Sequence, residues 1–443
     1  MDKEQLKAAV CKAIDANRER IYEIGKTILK NPELGFKEFK TSALVKAIFK
    51  EIGIPFEENL AITGVKGRIK GKVPGPRVAV IGELDAVVCP SHPYADPDTG
   101  AAHACGHNAQ IASMLGAAFG LICSGAMEEL SGEAVFFAVP AEEFVEIEYR
   151  ANLKDKGAIS FLGGKQELIA TGAFDDVDMA MMVHAQSNCP EPMAYINTTT
   201  SAFIAKTVVF TGKEAHAGGF PHLGVNALNA ASGAMMLIHS LRETFREGDG
   251  IRVHPIITKG GDLVNIVPAD VRMETHVRGN TMEGAAEANK KVNRAIRGAA
   301  YAVGASVTIK DLPGYLTLVQ ESGLTELYTG NILPLVGKEN LSQTISAGGA
   351  TDMGDLSLMM PCIHPFTGGF GGHVHNSDFS VVNEEVAYLY PAKAMAMTVV
   401  DLLFDGGKEA QALCSSFKPA YTKESYVRFL NAIAKTDEGS DLV

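Results

Sequence analysis

The sequence predicts an α/β fold in which a domain with a mostly parallel sheet is interrupted by a smaller, inserted α+β domain. Three observations support this prediction: the chain length, apolar segments that alternate with helical patterns, and a βαββαβ order of elements in the middle of the chain. Strands that alternate with helices are typical of parallel sheets covered on both faces. The βαββαβ order is typical of an antiparallel sheet with helices on one face.

The length and composition set the number of domains and exclude several kinds of partner. A chain of 443 residues is too long for one hydrophobic core. Hydrophobic residues make up 46% and charged residues 21%, which excludes a disordered chain. The net charge of -12 opposes attraction to nucleic acid phosphates and to anionic lipid. We therefore expect two domains, no nucleic acid partner and no membrane partner.

The first domain is predicted from helices and from strands that are apolar throughout. Helical patterns cover Glu4 to Lys30 and Thr41 to Ile52. Three apolar segments fit central strands of a parallel sheet: Arg77 to Gly82, Ala134 to Val139 and Asp178 to Val183. A long helix is expected from Asn383 to Phe404, and the polar chain after Gly406 is expected to be loosely held.

The inserted domain begins where continuous apolar runs give way to alternation. Ala202 to Phe210 alternates apolar with polar or small residues, as half-exposed strands do. The elements that follow are a helix, two strands, a helix and a strand, at Asn226 to Arg246, Ile251 to Thr258, Asp270 to Arg278, Met282 to Tyr301 and Ala305 to Asp311. We therefore predict an inserted domain at residues 198–311 and a discontinuous first domain at residues 1–197 and 312–443.

The N-terminus and the cysteines indicate a cytoplasmic protein. The chain starts with a charged amphipathic sequence and shows no apolar core of a signal peptide. The longest apolar stretch, Ile111 to Cys123, is too short to cross a bilayer and fits a buried helix. The seven cysteines are odd in number and scattered, which is typical of reduced thiols.

Polar side chains suited to metal binding or acid–base chemistry follow each of the three apolar strands. Glu83 and Asp85 close the first strand, Glu142 and Glu143 follow the second, and His184 follows the third. Taken alone, such a carboxylate is more often a helix cap, and such a histidine is more often part of a core. Because the carboxyl ends of parallel strands meet at one edge of a sheet, the three endings together predict one shared site.

A segment between the first two strands adds nitrogen and sulfur donors. His103-Ala104-Cys105-Gly106-His107 precedes an apolar helix, whose N-terminal dipole favours a thiolate at Cys105. Thiolate, imidazole and carboxylate together suit zinc or a similar metal. The alternative is a loop whose histidines cap the helix. Beside a metal, the adjacent pair Glu142 and Glu143 can divide two roles, one carboxylate on the metal and one taking a proton from water.

Several common catalytic signatures are absent from the sequence. There is no Walker A loop and no Gly-x-Ser-x-Gly elbow, so kinase-like and serine-hydrolase functions lack support. The glycine-rich segment Gly368 to Asn376 does not join a strand directly to a helix, so it is not a dinucleotide fingerprint, and a nicotinamide oxidoreductase is disfavoured. The same segment offers His373 and His375 as further imidazoles.

Five motifs resemble successive motifs of one enzyme family. They are Pro32-Glu33-Leu34-Gly35, His103 to Asn108, Pro140-Ala141-Glu142-Glu143, Glu214-Ala215-His216-Ala217 and Asn265-Ile266-Val267-Pro268. In this order they resemble the dinuclear-metal peptidase family of aminoacylases, glutamate carboxypeptidases and amino-acid-conjugate amidohydrolases. Three further segments are similar to its branch of aminobenzoyl-glutamate hydrolases and lysine-dipeptide hydrolases: Gly172 to Phe174, Gly224 to Leu228 and Thr351 to Gly354.

The resemblance implies a role for each of nine residues. Five lie at positions that bind two metal ions, with the cysteine as the bridge: Cys105, His107, Glu143, His184 and His375. Glu142 lies at the position of the general base, and His216 at that of a residue that reaches across a dimer interface to the scissile carbonyl. Asn265 and Arg278 resemble residues of the inserted domain that hold a free carboxylate of the substrate. His373 competes with His375 for the last ligand position, although His375 fits the family spacing better.

The resemblance implies a cytoplasmic metal-dependent amidohydrolase that forms a homodimer or a higher homo-oligomer. It would cleave the amide bond of N-acyl amino acids, dipeptides or aminobenzoyl-glutamate with a metal-activated water. Two divalent ions per subunit are expected, zinc first and manganese or cobalt as alternatives. Two other functions stay open: a plain dipeptidase or deacylase of the same family, and a catalytically silent binding protein on the same fold. The complete set of ligand-type residues argues against the silent protein.

Overall fold

The chain forms two compact units in the computed structural model, which describes residues 1–187, 193–343, 345–346 and 348–437. The first unit comprises Met1–Thr199, Val319–Ala347 and Asp355–Lys423, and the second comprises Thr200–Leu318, Gly348–Gly354 and Glu424–Val443. The α/β class with a mostly parallel sheet and a second, α+β part is confirmed. The domain bounds derived from the sequence stay a prediction.

The main sheet of the first unit combines parallel strands with an antiparallel edge. In spatial order its strands are Phe56–Leu60, Gly64–Lys70, Ser131–Val139, Val73–Glu83, Met179–Met181 and Cys362–Ile363. The last four run parallel to one another, and the first two pair antiparallel. Ser131–Val139 and the second half of Val73–Glu83 are buried almost throughout. Apolar strands of this kind belong in the middle of a sheet covered on both faces.

Short strands form smaller sheets in the same unit. One sheet has the spatial order Leu341–Ser342, Ala194–Tyr195, Phe366–Thr367 and His184–Ala185. The remaining short strands pair in twos: Val87–Val88 with Ala101–Ala102, Thr198–Thr199 with Ile345–Ser346, and Phe370–Gly371 with Ser380–Val381.

The helices of the first unit include the two predicted near the N-terminus, with one difference. The stretch expected to form a single helix from Glu4 to Lys30 is interrupted at Asn17, which has φ -106° and ψ 12°. The α-helices of this unit are Lys3–Ala16, Arg18–Leu29, Phe39–Glu51, His107–Cys123, Ile147–Asp155, Gly164–Ala170, Ser322–Val336, Tyr390–Leu403 and Lys408–Ser416. A short helix, Met353–Ser357, crosses the boundary between the units along the chain.

The helix His107–Cys123 occupies the core of the first unit. All of its side chains from His107 to Leu121 are buried, and it contacts Lys3–Ala16, Arg18–Leu29 and Tyr390–Leu403. A π-helical turn, Glu385–Leu389, precedes the last of these. The combined stretch Glu385–Leu403 has the length and apolar composition of a membrane span, but 94% of its most apolar window is buried inside the protein.

The second unit is an antiparallel sheet with two helices. The strand order is Arg252–Val253, Asp270–Gly279, Ala202–Thr211, Ser306–Pro313 and Lys435–Asp437, and Ile256–Lys259 also pairs with Asp270–Gly279. The helices Ala227–Ser240 and Met282–Ala302 pack on each other and on this sheet. Alternate residues of Asp270–Gly279, such as Val271 and Met273, are buried in the core they form. The strand predicted from Ile251 to Thr258 is divided because Pro255 has no N–H to donate.

The expectation of a loosely held chain after Gly406 is wrong for the described residues. The helix Lys408–Ser416 follows, then the helix Lys423–Ile433 and the strand Lys435–Asp437. In Lys423–Ile433 the side chains of Tyr426 and Leu430 have no exposed surface. Their spacing of four residues places both on one helix face, so a polar segment is anchored by two apolar side chains.

Candidate metal centre and catalytic site

The three strands that end in polar residues are neighbours in the main sheet. Val73–Glu83 lies between Ser131–Val139 and Met179–Met181, and all three run parallel. Their carboxyl ends therefore lie at one edge of the sheet. Glu142 and Glu143 follow one strand at this edge, and His184 follows another. The shared edge predicted from the sequence is thus present.

Cys105 and His107 are placed by a tight turn at the start of the central helix. Gly106 caps the helix with φ 83°, a left-handed conformation that favours glycine. A Cβ atom at this position would lie 2.5 Å from the Cβ of Ala185, so the close approach also requires glycine. The turn holds a thiol and an imidazole at the helix N-terminus, where the helix dipole stabilises a thiolate.

The side chains predicted as metal ligands lie together in two groups that share Cys105. The donor atoms of Cys105, His107 and His184 lie within 4.8 Å of one another, and so do those of Cys105, Glu143 and His375. The Cys105 Sγ is 3.4 Å from the His184 Nε2 and 3.3 Å from the His375 Nε2. A shared thiol between two donor groups is an arrangement suited to a pair of metal ions.

The histidine rings are oriented so that their Nε2 atoms face this cluster. The Nδ1 of His107 is 2.8 Å from the backbone oxygen of Asp85, and the Nδ1 of His184 is 2.8 Å from that of Ala185. In the neutral tautomer these bonds place the proton on Nδ1 and leave Nε2 as a donor to metal. The buried Nε2 of His107 makes no well-aligned hydrogen bond within the described residues. With thiolate and carboxylate beside them, these residues fit divalent metal ions.

The charges of the cluster favour ionised ligands. Burial raises the pKa of the Cys105 thiol, but the neighbouring imidazoles, His184 first, lower the pKa to about 6. Burial lowers the pKa of His375, but the Cys105 thiolate and the Glu143 carboxylate raise the pKa to about 11. Thiolate and carboxylate are the forms that bind metal, whereas the raised pKa of His375 keeps its imidazole protonated at neutral pH. A metal ion bound there would have to displace that proton.

The carboxylate pair Glu142 and Glu143 directly follows a strained turn. Ala141 has φ 54°, a left-handed conformation that is unfavourable for a residue with a Cβ atom, and its side chain is buried. Its N–H donates to the Glu38 carboxylate at 2.8 Å. The buried guanidinium of Arg150 donates to the backbone oxygens of Ala141 and Glu143. Two buried charged side chains thus hold the turn, and the Glu142 Oε2 lies 3.9 Å from the His107 Nε2.

His373 and His375 lie differently with respect to this cluster. His375 has φ 63°, and its Nε2 lies 3.1 Å from the Glu143 Oε1 as well as close to Cys105. His373 is exposed, and its Nδ1 lies 3.3 Å from the Asp378 carboxylate instead. His375 belongs to the cluster and His373 does not.

The other predicted site residues lie in the second unit. His216 is exposed, and its Nδ1 accepts hydrogen bonds from the N–H groups of Gly218 and Gly219 at 3.2 and 2.9 Å. Asn265 lies on the neighbouring segment, where its backbone oxygen accepts from the N–H of Ala217 at 2.9 Å. Arg278 lies on the strand Asp270–Gly279, where its Nη2 is 3.2 Å from the Nδ1 of His276 and its guanidinium stacks over the Phe203 ring.

Several buried polar residues around the cluster were not singled out from the sequence as part of the site. Lys165 and Gln110 contact Glu83, and Arg150 and Glu38 hold the carboxylate turn. All four side chains are buried, but only Gln110 and Lys165 lie within segments that are otherwise buried. A polar or charged residue in such a segment is the one sequence signal that could have pointed to these two.

Comparison with known proteins shows which proteins this chain resembles. The peptidase dimerisation domain matches residues 200–303. The Xaa-Arg dipeptidase of Mus musculus is 29% identical over 429 residues, which cover 90% of this chain and 90% of that protein. A Bacillus subtilis structure, described as a dinuclear metal binding peptidase from the M20 family, is 21% identical with a TM-score of 0.63, covering 88% of this chain and 99% of the other.

A structure of an aminobenzoyl-glutamate utilization protein from Klebsiella pneumoniae shares the same fold. It is 18% identical with a TM-score of 0.66, covering 88% of this chain and 98% of the other. Three findings agree with one another: the family resemblance in the sequence motifs, the matched dimerisation domain, and relatives that span nearly the whole chain. The chain thus carries an M20 peptidase dimerisation domain, and it is similar over nearly its whole length to a dipeptidase and to M20 structures.

Proposed function

We propose that this protein hydrolyses the amide bond of small N-acyl amino acids or dipeptides, aminobenzoyl-glutamate among them. The observation that carries the proposal is the pair of donor groups that share Cys105, with the Glu142 carboxylate of the turn beside them. Two divalent ions would be held by Cys105, His107, Glu143, His184 and His375. When bound, the ions would lower the pKa of a water molecule and polarise the scissile carbonyl.

Glu142 would act as the general base. Its carboxylate is buried and lies 3.9 Å from a ring nitrogen of the cluster, so it is near the ligands without replacing Glu143 among them. Its Oε2 would accept a proton from the attacking water and return it to the leaving amine. The two adjacent carboxylates lie in different donor groups, Glu143 with Cys105 and His375 and Glu142 with His107, which supports different roles for them.

The second unit would supply the contacts to the substrate. His216 would donate a hydrogen bond to the scissile oxygen as negative charge develops on it. The two N–H groups on its Nδ1 leave Nε2 to carry the proton for that bond. Asn265 and Arg278 would hold the free carboxylate of the leaving amino acid, for which an Arg fork is well suited.

The relatives support the substrate class and the assembly. Two proteins that this chain resembles are named Xaa-Arg dipeptidase and aminobenzoyl-glutamate utilization protein, and these names suggest dipeptides and aminobenzoyl-glutamate as substrates to test. The match to a peptidase dimerisation domain supports a homodimer. We place the protein in the cytoplasm, with zinc as the first metal to test and manganese or cobalt as alternatives.

The test is release of a free amino acid from a panel of N-acyl amino acids and dipeptides. The protein is loaded with zinc, manganese or cobalt, and the products are identified by mass spectrometry. We expect hydrolysis of at least one substrate to a free amine and a free acid. A protein that carries its metals and releases nothing from any of them would instead favour a binding protein.

Removal of Arg278 should weaken the handling of substrates with a free carboxylate. A lost charge-assisted hydrogen bond costs roughly 1.5 to 3 kcal/mol, so Arg278→Ala should lower kcat/KM about ten- to a hundredfold. With the wild-type protein, amidation of the same substrate should lower kcat/KM by a similar factor. With Arg278→Ala, amidation should lower kcat/KM little further, since both changes remove the same interaction. Equal wild-type turnover of the acid and its amide would show that no carboxylate is held.

A further inference from the structure

Two arginines face each other across neighbouring antiparallel strands of the second unit. Arg252 lies directly opposite Arg278, and the next pair along the strands is Val253 opposite Val277. The two valines are buried in the core that the sheet forms with its two helices. Because successive side chains of a strand point to opposite faces, both arginines lie on the face that points away from those helices. The proposed mechanism gives a role to Arg278 and none to Arg252.

The charge of Arg252 has no counter-charge among the described residues. Its side chain is exposed, and it makes no ion pair or hydrogen bond with any residue that the structure describes. The Cβ atoms of directly opposite residues lie about 4.5 to 5.5 Å apart, and like charges at such positions destabilise a sheet. Two cations thus meet on one face of the second unit, in a protein whose net charge is -12. An anion bound to both would offset their repulsion.

Both guanidinium groups are held against other parts of the second unit. That of Arg278 stacks over the Phe203 ring at 5.1 Å, and its Nη2 is 3.2 Å from the Nδ1 of His276. The Nη1 of Arg252 lies against the backbone of Gly348, where a Cβ atom would be only 2.7 Å away. Gly348 has φ 62°, which also favours glycine. An arginine on an edge strand often serves only to keep that edge from pairing with other chains. Two arginines that are held in place and face each other instead form a preorganised anion site.

Two guanidinium groups side by side match a ligand with two carboxylates. Each planar fork can bind one carboxylate through two parallel hydrogen bonds. A ligand with a single carboxylate would leave one of the two charges unbalanced. Glutamate or aspartate as the leaving residue carries both an α-carboxylate and a side-chain carboxylate. Lysine or arginine at the same place would bring a third cation to the pair.

We propose that Arg252 is a specificity-determining residue, which binds the side-chain carboxylate of an acidic leaving residue while Arg278 binds its α-carboxylate. The substrates are then N-acyl or peptide conjugates of glutamate or aspartate. The inference rests on the proposed function, because it extends the carboxylate contact assigned there to Arg278. It assigns the leaving amino acid and not the acyl group.

The test compares N-(4-aminobenzoyl)-L-glutamate with N-(4-aminobenzoyl)-L-glutamine, which differ only in the charge at the end of the side chain. For an exposed arginine that is covered only when substrate binds, loss of this contact should cost roughly tenfold in kcat/KM. We expect the wild-type protein to prefer the glutamate conjugate by that factor. Arg252→Met should lower kcat/KM on the glutamate conjugate to the same extent and leave the glutamine conjugate unchanged. Arg252→Lys keeps the charge and should retain most of the preference.

The matched control is Arg272→Met. Arg272 lies on the strand of Arg278, an even number of residues away and therefore on the same face, and its Nε is 3.3 Å from the Asp270 carboxylate. Its removal should leave the preference for the glutamate conjugate unchanged. Arg252→Glu reverses the charge, so it should disfavour the glutamate conjugate and favour N-(4-aminobenzoyl)-L-lysine. A variant that is merely misfolded would lose activity on both.

The outcomes separate this inference from the proposed function. Equal kcat/KM on the glutamate and glutamine conjugates, or an equal loss on both in Arg252→Met, would overturn the role of Arg252 while hydrolysis stands. If the wild-type protein holds its metals and hydrolyses neither conjugate, the same comparison is made by isothermal titration calorimetry. Tighter binding of the glutamate conjugate that depends on Arg252 would then support the role of Arg252 and overturn hydrolysis alone. No binding, or binding that does not depend on Arg252, would overturn both.

Discussion

Glu142→Gln should abolish turnover while the protein keeps its metal ions. Only the carboxylate that moves the proton is lost, and removal of a general base costs on the order of 10²- to 10⁴-fold in rate. The amide of Gln preserves the size of the side chain and leaves the turn at Ala141 intact. The measurement pairs kcat on the best substrate with the metal content of the purified variant.

Two variants serve as the contrast to Glu142→Gln. Cys105→Ala removes the thiol that both donor groups share, so it should lose bound metal together with activity. Cys362→Ala removes a thiol that is equally buried but lies in the strand Cys362–Ile363, and it should keep both metal and activity. Loss of metal from Glu142→Gln with retention in Glu143→Gln would reverse the roles assigned to the pair.

Mixing two inactive subunits should restore activity. If His216 of one subunit completes the site of its partner, a dimer of His216→Ala and Glu142→Gln subunits has one site with both residues intact. Random exchange then gives about a quarter of wild-type activity, because half of the dimers are mixed and one of their two sites works. In the unmixed His216→Ala protein, kcat should fall roughly 10²- to 10³-fold, as expected when one hydrogen-bond donor to the oxyanion is lost.

The control for mixing is the same exchange between two samples of the Glu142→Gln protein, which should stay inactive. Subunit exchange is verified by native mass spectrometry with one partner isotopically labelled. Mixed dimers without activity would show that His216 acts in its own subunit or not at all.

The sequence was most informative where a short segment carries the chemistry. Cys105 and His107 lie two residues apart, and Glu142 and Glu143 are adjacent, so their spacing alone predicts a cluster. The fully apolar strands were equally clear, because a short run such as that from Ala134 to Val139 is typical of a strand in a sheet covered on both faces. The donor groups that result lie at the strand edge expected from the sequence.

The sequence was least informative where a residue acts through a distant contact. Lys165 is 82 positions from Glu83 along the chain, so the sequence gives no sign of their contact. Arg150 looks like any charged residue of a helix, and only the structure shows that it contacts the carboxylate turn. The strand Phe56–Leu60 was missed because it is largely exposed and carries no apolar alternation. The helix Lys423–Ile433 was missed because only Tyr426 and Leu430 anchor it in a polar segment.

The central claim is that this cluster of side chains binds two divalent ions and that amide hydrolysis depends on them. The most direct test removes all metal with a chelator and then adds zinc in measured equivalents, with bound metal and turnover recorded in the same samples. The account predicts no turnover without metal and a maximum when two equivalents are bound. Full turnover in the metal-free protein, or saturation with metal in Cys105→Ala at wild-type affinity, would contradict it.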